Sequence, residues 1–118
     1  MEKLLEQTLL FDFYGELLTE HQKQIYEEVV LDDYSLSEVA QDRGITRQGV
    51  HDLIKRCNKI LADYEEKLHL VEKFMNIQRL VADIEDCAAT SIKEGDKTNY
   101  EEAMKKIKNI SEEIRKEI

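Results

Sequence analysis

Apolar residues recur along this chain at intervals of three and four and nowhere alternate over a sustained window, a pattern that predicts helices throughout and no sheet. Over residues 2 to 14, Leu4, Leu5, Leu9, Leu10, Phe13 and Tyr14 form one stripe, which stops near Gly15. A second stripe, Ile25, Tyr26, Val29 and Val30, follows Thr19, a good N-cap residue with acidic Glu20 in the first turn. Asp32, Asp33 and Tyr34 end that helix as a turn. Ser35 or Ser37 suits the cap of a short third helix ending at Gly44, and Thr46 suits the cap of a fourth.

From Val50 to Glu94 there is neither Gly nor Pro. A single rod of that length would reach ~67 Å at 1.5 Å per residue, against about 35 Å for a compact chain of this size, so it must bend or pair with another chain. Val50, Cys57, Tyr64 and Val71 repeat at seven, flanked by Leu53, Ile60 and Phe74 and by Ile54, Leu61, Leu68 and Met75. That stripe is broader than a coiled-coil seam. Lys67 falls where it wants an apolar residue, which puts the expected break between Lys67 and Asn76. A fresh stripe then runs from Ile77 to Ile92, followed by a loop at Lys93 to Lys97. Thr98 and Glu101 form a capping-box pattern ahead of a last stripe of Tyr100, Ala103, Met104, Ile107, Ile110, Ile114 and Ile118. Two helices around a short Gly loop read as an antiparallel hairpin.

Composition narrows the function classes. The 118 residues carry 26 acidic and 17 basic side chains, a net charge of −9, with 42% apolar residues, enough for one small core plus an appendage. No run approaches 18 apolar residues and the start, MEKLLEQ, is acidic, so no membrane insertion or signal peptide is expected. Two cysteines 30 residues apart give neither a disulfide framework nor a zinc site, which makes the cytoplasm the expected location. His21, His51 and His69 have no ligand at metal spacing, and Cys57 and Cys87 sit on apolar stripes as inert thiols. Paired acids such as Glu27-Glu28 lack an apolar pocket, and no phosphate loop or nucleophile motif occurs. No cofactor and no enzymatic activity are expected.

One stretch is more specific. From Leu36 to Arg56, Ala40 supplies the small residue a helix-turn-helix needs at its crossing, and Gly44 the positive-φ turn four residues later. Val39, Ile45, Val50 and Leu53 fix the second helix against the first. With Leu18 to Leu31 upstream, this stretch resembles the region 4 DNA-binding domain of bacterial sigma factors, in which the segment resembling Thr46 to Lys55 is the recognition helix. With LLFDFYGELLTEHQ and YEEKLHLVEKF added, the chain resembles the YlxM family of bacterial helix-turn-helix proteins. That resemblance implies a cytoplasmic regulatory protein linked to the signal recognition particle pathway. The fold expected is therefore all-α: a sigma region-4-like helix-turn-helix bundle over residues 1–65, and a helical hairpin over 66–118 that serves dimerisation or partner binding. Two features depart from the motif. Arg43 stands before the turn Gly where an apolar residue is usual, and Gly49 weakens the first turn of the recognition helix.

The net charge is unevenly spread. Residues 1–40 hold two basic and ten acidic side chains, −8; residues 41–60 hold five and two, +3; residues 61–118 hold ten and fourteen, −4. The one positive window contains the recognition helix. Thr46, Arg47, Gln48, His51 and Lys55 fall on its outward side, with Arg47 and Gln48 long enough to reach base edges and Lys55, Arg56 and Lys59 suited to phosphate. Asp52, among them, opposes phosphate unless it accepts a hydrogen bond from a cytosine amino group. DNA bound by a homodimer is one expected partner. A component of the signal recognition particle, met by the acidic surface of a non-DNA-binding module, is the alternative.

Overall fold

The computed structural model of the chain describes residues 2–94 and 97–118. The described residues form six α-helices and no strand: α1 Lys3–Tyr14, α2 Glu20–Tyr26, α3 Leu36–Arg43, α4 Arg47–Leu68, α5 Leu70–Glu94 and α6 Lys97–Glu117. The fold is all-α, as the periodicity predicts. None of these helices is long and apolar enough to cross a membrane.

The helix starts follow from the capping residues. Thr19 caps α2 with a full capping box: its side chain accepts the Gln22 N–H, and the Gln22 side chain accepts the Thr19 N–H. Ser35, rather than Ser37, caps α3 by accepting from Glu38 N at 3.0 Å. Thr46 caps α4 by accepting from Gly49 N at 2.9 Å. The end of α2 differs from the simple turn expected. The helix widens into a π-helical segment, Glu27–Leu31, and Asp33 takes a left-handed φ of 59°. Asp tolerates that conformation better than most residues, because its short polar side chain can bond locally.

The chain divides into two compact units, Met1–Val71 and Glu72–Ile118. In the first, α1, α2 and α3 each pack on α4. One apolar cluster joins Ile25, Val39, Ala40 and Val50, with Val29, Leu36, Leu53 and Ile54 against it, and this fixes the crossing of α3 on α4. Other buried side chains of this unit include Phe11, Tyr14, Tyr26, Cys57 and Leu61. The Phe11 ring stacks on Tyr26 at 5.4 Å and Tyr14 stacks on Tyr64 at 6.0 Å. The Tyr26 hydroxyl donates to Asn58 Oδ1 at 2.6 Å, and Gln7 Nε2 donates to the same oxygen at 3.3 Å. Each buried phenol thus keeps a partner, which a buried hydroxyl needs to avoid a desolvation cost.

The break in the long apolar stretch falls at His69, which ends α4 in the left-handed region at φ 55°. Two side chains make that break tolerable. Glu65 Oε1 accepts from the Tyr14 hydroxyl at 2.6 Å and from Val71 N at 3.0 Å, while Leu70 N donates to the Tyr14 oxygen at 3.1 Å. The first N–H groups of α5, which have no partner inside their own helix, are satisfied by groups from α1 and α4. In the second unit, Leu80 of α5 and Ala103 of α6 are buried. Asp83, Cys87 and Ser91 of α5 and Ala103, Lys106 and Ile110 of α6 line one groove between the two helices. The turn at Gly95 and Asp96, and the side chain of Thr98 expected to cap α6, lie outside the described residues.

Burial also sets an alkaline limit. The Tyr26 hydroxyl, normally at 10.0, is pushed up to about 12 chiefly by burial, and the Cys57 thiol, normally at 9.0, to about 11 for the same reason. Both are raised, so the unfolded chain ionises first. The Cys57 contribution is whole below about pH 9 and lost as pH climbs through about 11, and that of Tyr26 is whole below about pH 10 and lost through about 12, each at about 1.4 kcal/mol per pH unit inside its window. Denaturant midpoints should hold from pH 8 to about 9 and then fall increasingly steeply to pH 11. A flat profile would contradict the burial of these two groups.

Candidate nucleic-acid interface

The recognition segment is built by its turn. Gly44 adopts φ 67° and ψ 31°, and the Gly44 and Ile45 N–H groups both close on Ala40 O, the latter at 3.1 Å. A Cβ at Gly44 would meet no atom within 4 Å, so the requirement for glycine is one of backbone conformation alone. Gly44→Ala is expected to cost about 1–2 kcal/mol, a drop of roughly 5–10 °C in melting temperature. An unchanged melt would mean that the turn does not hold this conformation in solution.

Arg43 does not act as an apolar substitute at the turn. It is half-buried and spends its guanidinium on α2 and the segment after it, pairing with Glu28 and donating to Gln24 Oε1 at 3.0 Å. Glu28 Oε2 is buried without a hydrogen-bond partner. A half-buried pair with an orphaned oxygen contributes little net stability, and what it fixes is the placement of α3 against α2. The same bond withdraws Arg43 from the positive window, leaving Arg47, Lys55, Arg56 and Lys59 as its outward charges. Gly49, the other departure, has a use. A Cβ there would lie 3.1 Å from Thr46 Oγ1, tight against the oxygen that caps the helix.

On α4 the predicted site residues separate into two groups. At 100° per residue, Arg47, His51, Lys55, Gln48 and Lys59 span an arc of about 120°, whose centre lies about 120° around the helix from the buried Val50, Cys57 and Leu61. All five are exposed. Arg56 stands about 60° beyond that arc and lines a shallow depression with Thr19, His21, Gln22, Gly49, Asp52 and Leu53. A second depression, between the starts of α3 and α4, is lined by Leu36, Arg47, Gln48 and His51. Thr46 is not a fully free member of the set, because its oxygen already accepts the Gly49 N–H, which leaves its hydroxyl hydrogen and one lone pair.

Acidic side chains modify the arc. Gln48 Nε2 donates to Asp52 Oδ1 at 2.9 Å, and His51 Nδ1 lies 3.7 Å from the same oxygen, beyond hydrogen-bond range. Lys59 Nζ is 3.8 Å from Asp63 Oδ2, with the lysine side chain 75% exposed. An exposed pair of that length is worth little and does not withdraw Lys59 from a phosphate. The arrangement can place Arg47 and Gln48 at the N-terminal end of a helix against base edges, with the lysines about two and three turns behind for the backbone.

Sequence reasoning missed the acceptor role of Asn58 and the joint role of Tyr14 and Glu65. Their signals, an Asn and a Glu on the inner half of a long amphipathic helix, are weak ones.

Comparison with known proteins gives a concordant result. The family model described as "Putative helix-turn-helix protein, YlxM / p13 like" matches residues 1–116. A UPF0122 protein of Caldanaerobacter subterraneus subsp. tengcongensis is 45% identical over 86 residues, covering 73% of this chain and 74% of the relative. UPF0122 proteins of Bacillus cereus strain AH187 and Bacillus anthracis strain A0248 are each 48% identical over 82 residues, covering 70% of this chain and 74% of the relative.

Proposed function

The chain belongs to the YlxM/p13-like family of helix-turn-helix proteins, a family of that fold rather than of enzymes, and from that premise we propose that it is a DNA-binding regulatory protein. The observation that carries this reading is the coincidence of the one positive window with the exposed arc of α4. Arg47, Gln48 and His51 meet base edges, and Lys55, Arg56 and Lys59 meet phosphates. The signal recognition particle pathway, implied by the family resemblance, is the setting we propose.

A second reading is favoured by one observation, the −8 charge of residues 1–40. In it the acidic surface docks a basic protein of the signal recognition particle, and α4 has no DNA to read. Capture from a bacterial lysate with and without nuclease separates the two. Loss of the captured material after nuclease supports nucleic-acid binding, while a nuclease-resistant partner lost on neutralising acids between residues 16 and 38 supports the second reading.

The homodimer belongs to the same proposal. On the α5–α6 hairpin, Ala88, Ile92, Tyr100, Met104 and Ile107 line an apolar depression, with Ile92 78% and Met104 67% exposed. Apolar side chains left that open are a natural contact for a second copy. Two copies also suit a helix-turn-helix protein reading two half-sites. Met104→Glu is expected to shift sedimentation from dimer to monomer. A wild-type chain that sediments as a monomer at micromolar concentration would contradict the dimer.

A further inference from the structure

Gln48 and Asp52 stand one turn apart on the exposed side of α4, and the hydrogen bond between them restricts what either can read. Asp52 as a carboxylate only accepts, so the Gln48 amide must turn its NH2 toward it, as the 2.9 Å contact from Nε2 to Oδ1 records. What the pair then offers a partner is two acceptors, Oε1 of Gln48 and Oδ2 of Asp52, and the second N–H of the Gln48 amide, held in the plane that the bond to Asp52 sets.

Resting on the DNA-binding reading above, we propose that the Gln48–Asp52 pair is a specificity-determining contact that selects cytosine in the major groove. Cytosine presents a single amino donor there, which a carboxylate or a locked amide oxygen accepts. Adenine presents its amino donor beside the N7 acceptor, which would face the carboxylate, and a glutamine reads both only when its amide plane is free to turn to them. Here the bond to Asp52 fixes that plane. Guanine and thymine present acceptors toward the Asp52 carboxylate and are disfavoured there. Asp52 also opposes phosphate, so its presence between Gln48 and Lys59 fits an approach by a base edge at that point of the helix, with the backbone left to the lysines and Arg56.

Selection of bound duplexes from a random library by the full chain and by Asp52→Asn tests this. Asp52 is exposed, and circular dichroism checks that the variant keeps its helices. The wild type is expected to recover sites with one fixed cytosine position, where a wrong base weakens binding roughly 5- to 100-fold. Asp52→Asn should erase the cytosine preference at that position, leave the other positions as they were, and raise affinity for unrelated duplex at low salt severalfold. Wild-type sites unchanged by Asp52→Asn would overturn the cytosine contact and leave DNA binding standing. If the wild type retains no duplex at low salt, both readings fall together.

Discussion

Reversing the charge of Arg47 or Lys55 is expected to weaken duplex DNA binding roughly tenfold or more in each case, with no loss of folded structure. Both side chains are exposed on the outward arc of α4, and neither takes part in the core of α3 and α4. The two should differ in kind. Lys55→Glu acts on phosphate and should weaken all sequences alike, lowering the salt dependence by about one ion per chain. Arg47→Glu sits where base edges are read and should cost most on the preferred sequence. Fluorescence anisotropy on a labelled duplex measures both. Retention of wild-type affinity in both variants would move the interface off α4.

The second large effect is on stability. Tyr26 is fully buried, stacks on Phe11 and bonds Asn58, so Tyr26→Ala removes a ring, a stack and a hydrogen bond from beside α4. Large aromatic truncations in cores cost about 3–5 kcal/mol, a substantial part of what holds a small domain folded. Tyr26→Phe keeps the ring and should cost about 1 kcal/mol while removing the Tyr26 share of the alkaline sensitivity. Denaturant unfolding followed by circular dichroism distinguishes them. A loss below about 1 kcal/mol in Tyr26→Ala would mean that the site collapses around the missing ring.

Much of the fold was legible in the residues because its signals are local. Thr19, Ser35 and Thr46 are caps that act on the N–H group three residues on, and Gly44 is a turn whose requirement lies in its own φ. The apolar series of α4 gave the buried face directly. The π-helical segment after α2 had no such signal, since Glu-Glu-Val-Val-Leu reads as an ordinary last turn. The break at His69 could be bracketed and not fixed, because what stabilises it is Tyr14, more than 50 residues away in sequence. The candidate site divides in the same way. The exposed arc of α4 follows from helical period alone, whereas the withdrawal of Arg43 by Glu28 and the locking of Gln48 by Asp52 depend on side-chain geometry.

The acidic total and the basic arc pull in opposite directions, which makes ionic strength the sharpest probe of the central claim that α4 binds the DNA backbone. The affinity of the wild-type chain for a mixed-sequence duplex should fall linearly on a logarithmic plot against salt. With Lys55, Arg56 and Lys59 on phosphates, the slope should be about −3 for one chain, and twice that for two chains on one duplex. Binding with a slope near zero, or none on any duplex at low salt, would contradict it.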